Sequence, residues 1–519
     1  MEVFGKMVMR MRTFLLGSWI GLGLIHAAPF TPATNLVELR QQLQASLQAS
    51  ASPQAFWGIQ VNSRHGGTPW FSTNASALMV PASNTKLFTA ALSLDRLGAE
   101  YRFTTTLRVD HKPDREGLLK GDLMVIGSGD PSFCARFHGG KTEASFDPLV
   151  NAVKMAGIRR IQGNLVCDES AFQGPPYGSG WGWDDLSASY GAATSALSSE
   201  DNSLQLIFKP GAQPGSDVTA EISPTTSEIK LNSSVTTGAT NSKISLTVSR
   251  LPGESTIHVL GSIPAGATRV IEDASVPHPA LWFGERFRAA LSRQNIEVTG
   301  QIQVITSTDR QRFPLDERRW KEIARVPSVP TGDLVREMMK QSQNLYAQLL
   351  LLAVGMESER CPKDDEDSQG STTTEKSGLR ALPSLLKSLN IPPEEVVLEE
   401  GSGLSRKNLV TPRALTRLLE VMPDHRWGSV WMSSFPVGGQ DGTLLNRFKK
   451  PLTQGNIRAK TGSLRYSGAL SGYMTNAVGE PLVFAILVNH YLPGRPGSSA
   501  RDEIDALVEL LAQSQVKAP

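Results

Sequence analysis

The chain reads as an α+β fold: helices packed on an antiparallel sheet, interrupted over residues 104–267 by a mainly β region. Three observations predict this. Strand-like runs at 57–61 and 70–72 flank the turn Arg64-His65-Gly66-Gly67 and lead to a helix beginning near Ser83. From Thr104 the pattern shifts to short alternating segments with frequent turn residues. After residue 268 helical periodicity returns, and runs at 469–474 and 482–488 close the chain as adjacent strands before a helix at 502–511.

Each element has a local reason. Residues 35–47 space Leu36, Leu39, Leu43 and Leu47 as a helix does. The helix at Ser83 continues through the apolar run 87–92 into a core. Strands are expected at 104–109, 121–126 and 163–167, with a helix at 146–155 between them. Residues 204–260, rich in Ser, Thr and alternating Val and Ile, read as a small all-β unit. Helices follow at 280–291, 332–339, 345–354, 382–389 and 412–421; Pro383 and Pro412 sit in first turns, where a missing N–H costs little. Residues 357–378 are charged and weakly hydrophobic, as in a solvated loop. The expected division is 29–103 with 268–519 as one discontinuous domain, and 104–267 as an insert of two small domains.

A chain of 519 residues exceeds what one core usually organises, so two or three domains are expected. The net charge is +2 with no basic stripe, which argues against nucleic-acid binding. Lys6, Arg10 and Arg12 precede an uncharged run at 13–25 and then His26-Ala27-Ala28, the pattern of a secretory signal over residues 1–28. The run is short for a membrane span; an uncleaved anchor is the rival reading. Either places the folded part outside the cytoplasm, periplasmic or otherwise extracytoplasmic, with at most peripheral membrane association. There, three cysteines allow one disulfide, and Cys134 and Cys167 are the nearer neighbours of the set that includes Cys361. The eight histidines are scattered, and no metal site is expected.

Three short motifs carry chemistry. Ser83-Asn84-Thr85-Lys86 places a hydroxyl and an amine three apart, on one helix face. An amine held neutral by burial or a second cation can activate a hydroxyl, and a helix start offers N–H groups to a developing oxyanion. Ser342-Gln343-Asn344 lies between two helices, and Lys460-Thr461-Gly462-Ser463 precedes the last strands. Singly, each is a common structural tripeptide or an exposed Ser and Lys at a helix start. In the order S-x-x-K, S-x-N, K-T-G they form the signature of penicillin-binding proteins and serine β-lactamases.

Longer stretches narrow the match: Glu400-Gly401-Ser402-Gly403-Leu404-Ser405-Arg406, Pro436-Val437-Gly438-Gly439-Gln440-Asp441-Gly442-Thr443-Leu444 and Arg458-Ala459-Lys460-Thr461-Gly462-Ser463-Leu464. The chain resembles the D-alanyl-D-alanine carboxypeptidase/endopeptidase family of class C low-molecular-mass penicillin-binding proteins, peptidase family S13. The long interval from Ser83 to Ser342 fits that family, which carries two extra domains there. Glu400 departs from the family's Asp at that position.

The resemblance implies a transpeptidase-like fold and a serine hydrolase that needs no cofactor, acting on peptidoglycan stem peptides and inhibited by β-lactam antibiotics. It implies Ser83 as nucleophile, Lys86 as base, Ser342 as proton relay and Asn344 as a hold on Lys86 and the substrate amide. Lys460 and Thr461, with Gly462 and Ser463 beside them, would receive the substrate's terminal carboxylate, and the N–H groups of Ser83 and Ser463 would form the oxyanion hole. Trp181-Gly182-Trp183-Asp184-Asp185 resembles the family's G-W-x-W-x-D segment, whose acid meets a free amino group of the substrate. By position that acid is Asp185, with Asp184 the neighbouring alternative. A serine β-lactamase and a catalytically silent module of the same fold are the competing readings, and oligomeric state is left open.

Overall fold

The computed structural model describes residues 31–360, 373–494 and 496–518. The expected signal at 1–28, Cys361 and the acidic stretch 361–372 lie outside them.

Five strands form the sheet that carries the site, in the order Arg458–Leu464, Ser467–Thr475, Pro481–Asn489, Phe56–Ser63, Phe71–Thr73. All neighbours are antiparallel. The strand Pro481–Asn489 is apolar at almost every position because both faces are covered. Val483, Ala485 and Leu487 join one core with helices Thr85–Arg96, Asn344–Arg360 and Pro412–Val421. Leu482, Phe484, Ile486 and Val488 join a second core with helices Leu36–Gln48 and Ala500–Gln513. Alternation fails as a strand signal there, since period 2 distinguishes two faces only when one meets water. Helix Asn344–Arg360 is hydrophobic around most of its circumference and buried from Leu345 to Val354.

A second five-stranded sheet has the order Ile302–Ile305, Leu165–Asp168, Leu123–Ile126, Thr104–Val109, Lys321–Pro327. Helices Asp147–Met155 and Pro279–Arg293 cover it, with Val150, Val153, Phe283 and Phe287 in one cluster with Leu107, Val125 and Leu165. A further cluster joins strands Ser203–Lys209, Thr256–Pro264 and Val270–Ser275.

This pairing corrects the boundary expected at residue 268. Strands Ile302–Ile305 and Lys321–Pro327 pair with Leu165–Asp168 and Thr104–Val109, so the interruption runs to Pro327. Periodicity shows that 280–291 is a helix with one apolar face; it does not say which sheet receives that face.

Cys134 and Cys167 are both buried and free, so the nearer pair in sequence is not a disulfide. Cys167 lies in the second sheet, and the Cys134 Sγ meets the Tyr346 hydroxyl at 3.4 Å. Burial raises both thiols above their usual range. Among the described residues no helix is long and apolar enough to cross a membrane.

Candidate active site

Ser83 lies in a single 3-10 turn, Ala82–Asn84, that runs directly into helix Thr85–Arg96. Every side chain from Thr85 to Leu94 is buried, so this helix passes through the core and takes Lys86 with it. The Lys86 amine therefore has only the partners the fold supplies. Its Nζ lies 3.1 Å from Ser83 Oγ, 2.6 Å from Asn344 Oδ1 and 2.5 Å from the Ser402 carbonyl oxygen. Two of these are carbonyls that can only accept, while the third is a hydroxyl that can donate. The set accommodates an ammonium donating to all three, and equally a neutral amine with two N–H groups engaged and its lone pair toward Ser83. Burial lowers the Lys86 pKa to about 7, against an opposing pull from the Glu400 charge.

Helix Thr331–Gln341 ends at Ser342, which adopts a left-handed backbone with φ 62°. That turn starts helix Asn344–Arg360 and brings Asn344 back to Lys86. Ser342 Oγ accepts from Lys460 Nζ at 2.7 Å, and Lys460 also donates to the Thr461 carbonyl at 2.8 Å. Lys460 is fully buried, and burial followed by the Lys86 charge holds it well below the ordinary lysine range. The second cation expected to help depress Lys86 does not appear among its causes, which are led by burial; the charge effect falls on Lys460 instead.

Arg458–Leu464 is an edge strand of the sheet and runs against the Ser83 turn. A Cβ placed on Gly462 would stand 2.7 Å from the Pro81 carbonyl oxygen, so the close approach requires glycine. Thr461 Oγ1 meets Thr443 Oγ1 at 3.0 Å, and Ser463 is exposed on the same strand. The Pro436–Leu444 stretch supports this strand from below: Val437 bridges Arg458, and Asp441 accepts from the Val437 N–H at 2.8 Å and from Lys340 Nζ at 2.5 Å.

Asp185 is half-buried and accepts from the Tyr190 hydroxyl at 3.2 Å, while Asp184 is exposed. Burial raises the Asp185 pKa, the Tyr190 hydrogen bond is the main opposing effect, and the Arg406 charge adds a smaller pull in the same direction as Tyr190. Asn344 Nδ2 donates to the Tyr190 carbonyl at 2.9 Å, which ties the Asp185 segment to the residue that holds Lys86.

A model of the D-Ala-D-Ala carboxypeptidase 3 (S13) family matches residues 39–514. The chain belongs to that family. It is 30% identical over 502 residues to a D-alanyl-D-alanine carboxypeptidase of an Actinomadura species, covering 95% of this chain and 88% of the relative. It is 28% identical over 425 residues to D-alanyl-D-alanine carboxypeptidase DacB of Haemophilus influenzae, covering 81% of this chain and 82% of that one. The crystal structure of penicillin binding protein 4 from Haemophilus influenzae superposes with a TM-score of 0.75 at 26% identity, covering 92% of this chain and 99% of that chain. The match extends to the overall arrangement of helices and sheets, so this S13 chain has the penicillin-binding fold.

Ser83, Lys86, Ser342, Asn344, Lys460, Thr461 and Gly462 of this S13 chain thus line one region, with Ser463 at its open edge and Asp185 joined to it through Tyr190. Sequence reasoning missed three contributors. Tyr190 carried no motif, and Ser402 acts through its backbone carbonyl, which no side-chain pattern reveals. Glu400 stood out only as a departure, yet it is fully buried beside the site.

Proposed function

We propose that Ser83 carries the D-Ala-D-Ala carboxypeptidase chemistry of this chain through an acyl-enzyme. The observation that supports this best is the three-partner environment of Lys86. In this reading Ser83 Oγ attacks the carbonyl of the terminal D-Ala-D-Ala amide while its proton passes to the Lys86 lone pair. Negative charge develops on the carbonyl oxygen, facing the N–H groups of Ser83 and Ser463. Collapse breaks the C–N bond; the leaving amine takes a proton by way of Ser342, and D-alanine departs. Water then hydrolyses the ester and restores Ser83.

Lys460 and Thr461 receive the substrate's terminal carboxylate, with Ser463 beside them. An arriving anion favours the charged form of Lys460 and offsets the burial that depresses it. Asp185 binds a free ammonium on the stem-peptide side chain, and the neighbouring Arg406 charge suits a side chain that also ends in a carboxylate. Peptides linked through that side chain would be cut by the same chemistry, an endopeptidase activity on cross-links. A β-lactam would acylate Ser83 through its ring amide. The substrate is peptidoglycan, which puts the working enzyme outside the cytoplasm.

Ser83→Ala tests the reading. The wild type should release D-alanine from a pentapeptide ending in D-Ala-D-Ala and form a stable adduct with labelled penicillin. The variant should do neither while keeping its fold by circular dichroism. Adduct formation by Ser83→Ala would overturn the assignment, and rapid release of hydrolysed penicillin by the wild type would favour a β-lactamase.

A further inference from the structure

We propose that Glu400 is a positioning residue for acylation: it holds the peptide group that orients the Lys86 amine and links it to the segment carrying Asp185. The inference rests on Lys86 being the base. Glu400 is fully buried, and its carboxylate accepts from six donors: the N–H groups of Ser402, Gly403 and Ser405, the Ser402 hydroxyl, the Asn408 amide and the Trp181 indole. Five of these close the loop that follows Glu400. The sixth comes from the inserted region, four residues before Asp185.

One peptide plane carries the argument. The Gly403 N–H donates to Glu400 Oε1 at 2.6 Å, and the carbonyl of the same peptide, that of Ser402, accepts from Lys86 Nζ at 2.5 Å. A carboxylate on the N–H side polarises the plane and makes its carbonyl a stronger acceptor. That carbonyl then fixes one Lys86 N–H, Asn344 fixes another, and the lone pair is left toward Ser83. The loop also abuts the nucleophile's turn: a Cβ on Gly403 would stand 2.0 Å from the Ala82 carbonyl oxygen, and Gly403 has φ +86°. The loop cannot shift without disturbing the turn that holds Ser83.

The electrostatics run the same way. Glu400, on this loop, acts on Lys86, and Lys86 acts in turn on Lys460 of the edge strand. Glu375, on helix Thr374–Leu379, is pushed up to about 7 by burial, and the Glu400 charge adds to that rise. Asn344, Ser83 and Ser402 contribute neutral dipoles. Glu400 therefore keeps Lys86 basic enough to take a proton in a site whose burial would otherwise strip it of basicity.

The test is the pH dependence of acylation by a fluorescent penicillin in wild type, Glu400→Gln and Trp181→Phe, each checked for folding by thermal melting. In wild type the rate should fall on the acid side as the Lys86 pair takes up a proton. Glu400→Gln should move that acid limb down by about one pH unit or more, and lower the plateau, because a less basic amine is neutral at lower pH but a poorer base. Trp181→Phe keeps the carboxylate but removes one donor, so its charge is less shared and the limb should move up. A folded Glu400→Gln protein with an unmoved limb overturns the proposal. Should Glu400→Gln fail to fold, an unmoved limb in Trp181→Phe overturns it alone. Undiminished acylation by Lys86→Ala would instead sink the assignment of Lys86 as base.

Discussion

Lys86 Nζ and Asn344 Oδ1 lie 2.6 Å apart although 258 positions separate them in the chain. The other end of the Asn344 amide donates to the Tyr190 carbonyl. One side chain therefore joins the amine next to Ser83 to the segment that carries Asp185.

Asn344→Ala should break both links. It leaves a buried Lys86 N–H without its acceptor, which costs roughly 1–3 kcal/mol of stability. Acylation by labelled penicillin should slow at least about tenfold, since the amine is free to turn from Ser83. Urea unfolding and acylation kinetics measure the two effects, and unchanged acylation would reduce the contact to a structural one.

Gly462→Val should separate the edge strand from the Ser83 turn. The atom in its way is a backbone oxygen 2.7 Å from the new Cβ, and backbone cannot swing aside. A drop in acylation of about a hundredfold is expected from the lost alignment, with far-UV circular dichroism unchanged. Near wild-type acylation would mean that the strand can sit farther out without consequence.

Asp185→Asn should act on peptides and spare penicillin. Losing one charge-assisted contact to an ammonium should raise KM about tenfold or more for a pentapeptide with a free side-chain amine. An acetylated side chain should show no difference between wild type and variant, and penicillin acylation should hold. An equal loss on all three would place Asp185 in the general fold of the loop.

Lys86→Met should change how stability depends on pH. Unfolded, Lys86 titrates near 10.5; folded, it titrates at about 7. Between those values the unfolded chain binds more protons, so wild-type stability rises with pH relative to the variant. Below about 7 both states are protonated and the difference is flat, with the burial penalty present in full. Urea unfolding of both proteins from pH 6 to 10 reads the slope, and a difference that falls through this window contradicts the buried, depressed amine.

Much of the central sheet was legible because several of its strands are mainly apolar runs bounded by turn or polar residues. Runs at 57–61, 469–474 and 482–488 all fall within strands of the site's sheet. The end of the interruption was not legible. Helix Pro279–Arg293 has the same apolar spacing as a helix of the site's domain, and the sheet it covers joins the nearby strand Ile302–Ile305 to strand Leu165–Asp168, more than a hundred residues upstream. Hydrophobic spacing specifies a buried face and leaves the choice of partner to long-range packing.

The site divides in the same way. The side-chain types and order of Ser83, Lys86, Ser342, Asn344, Lys460 and Thr461 were written in the sequence, and they point to acyl transfer before any coordinate is known. What only the tertiary structure decided is the state of the amine. Its depressed pKa comes from burial along helix Thr85–Arg96, while the Glu400 charge pulls the other way and the Ser402 carbonyl fixes the amine's direction. A backbone carbonyl and a desolvated pocket leave no letter in a motif. They arise from how distant segments pack, because proton affinity depends on the surroundings of a group as much as on its identity.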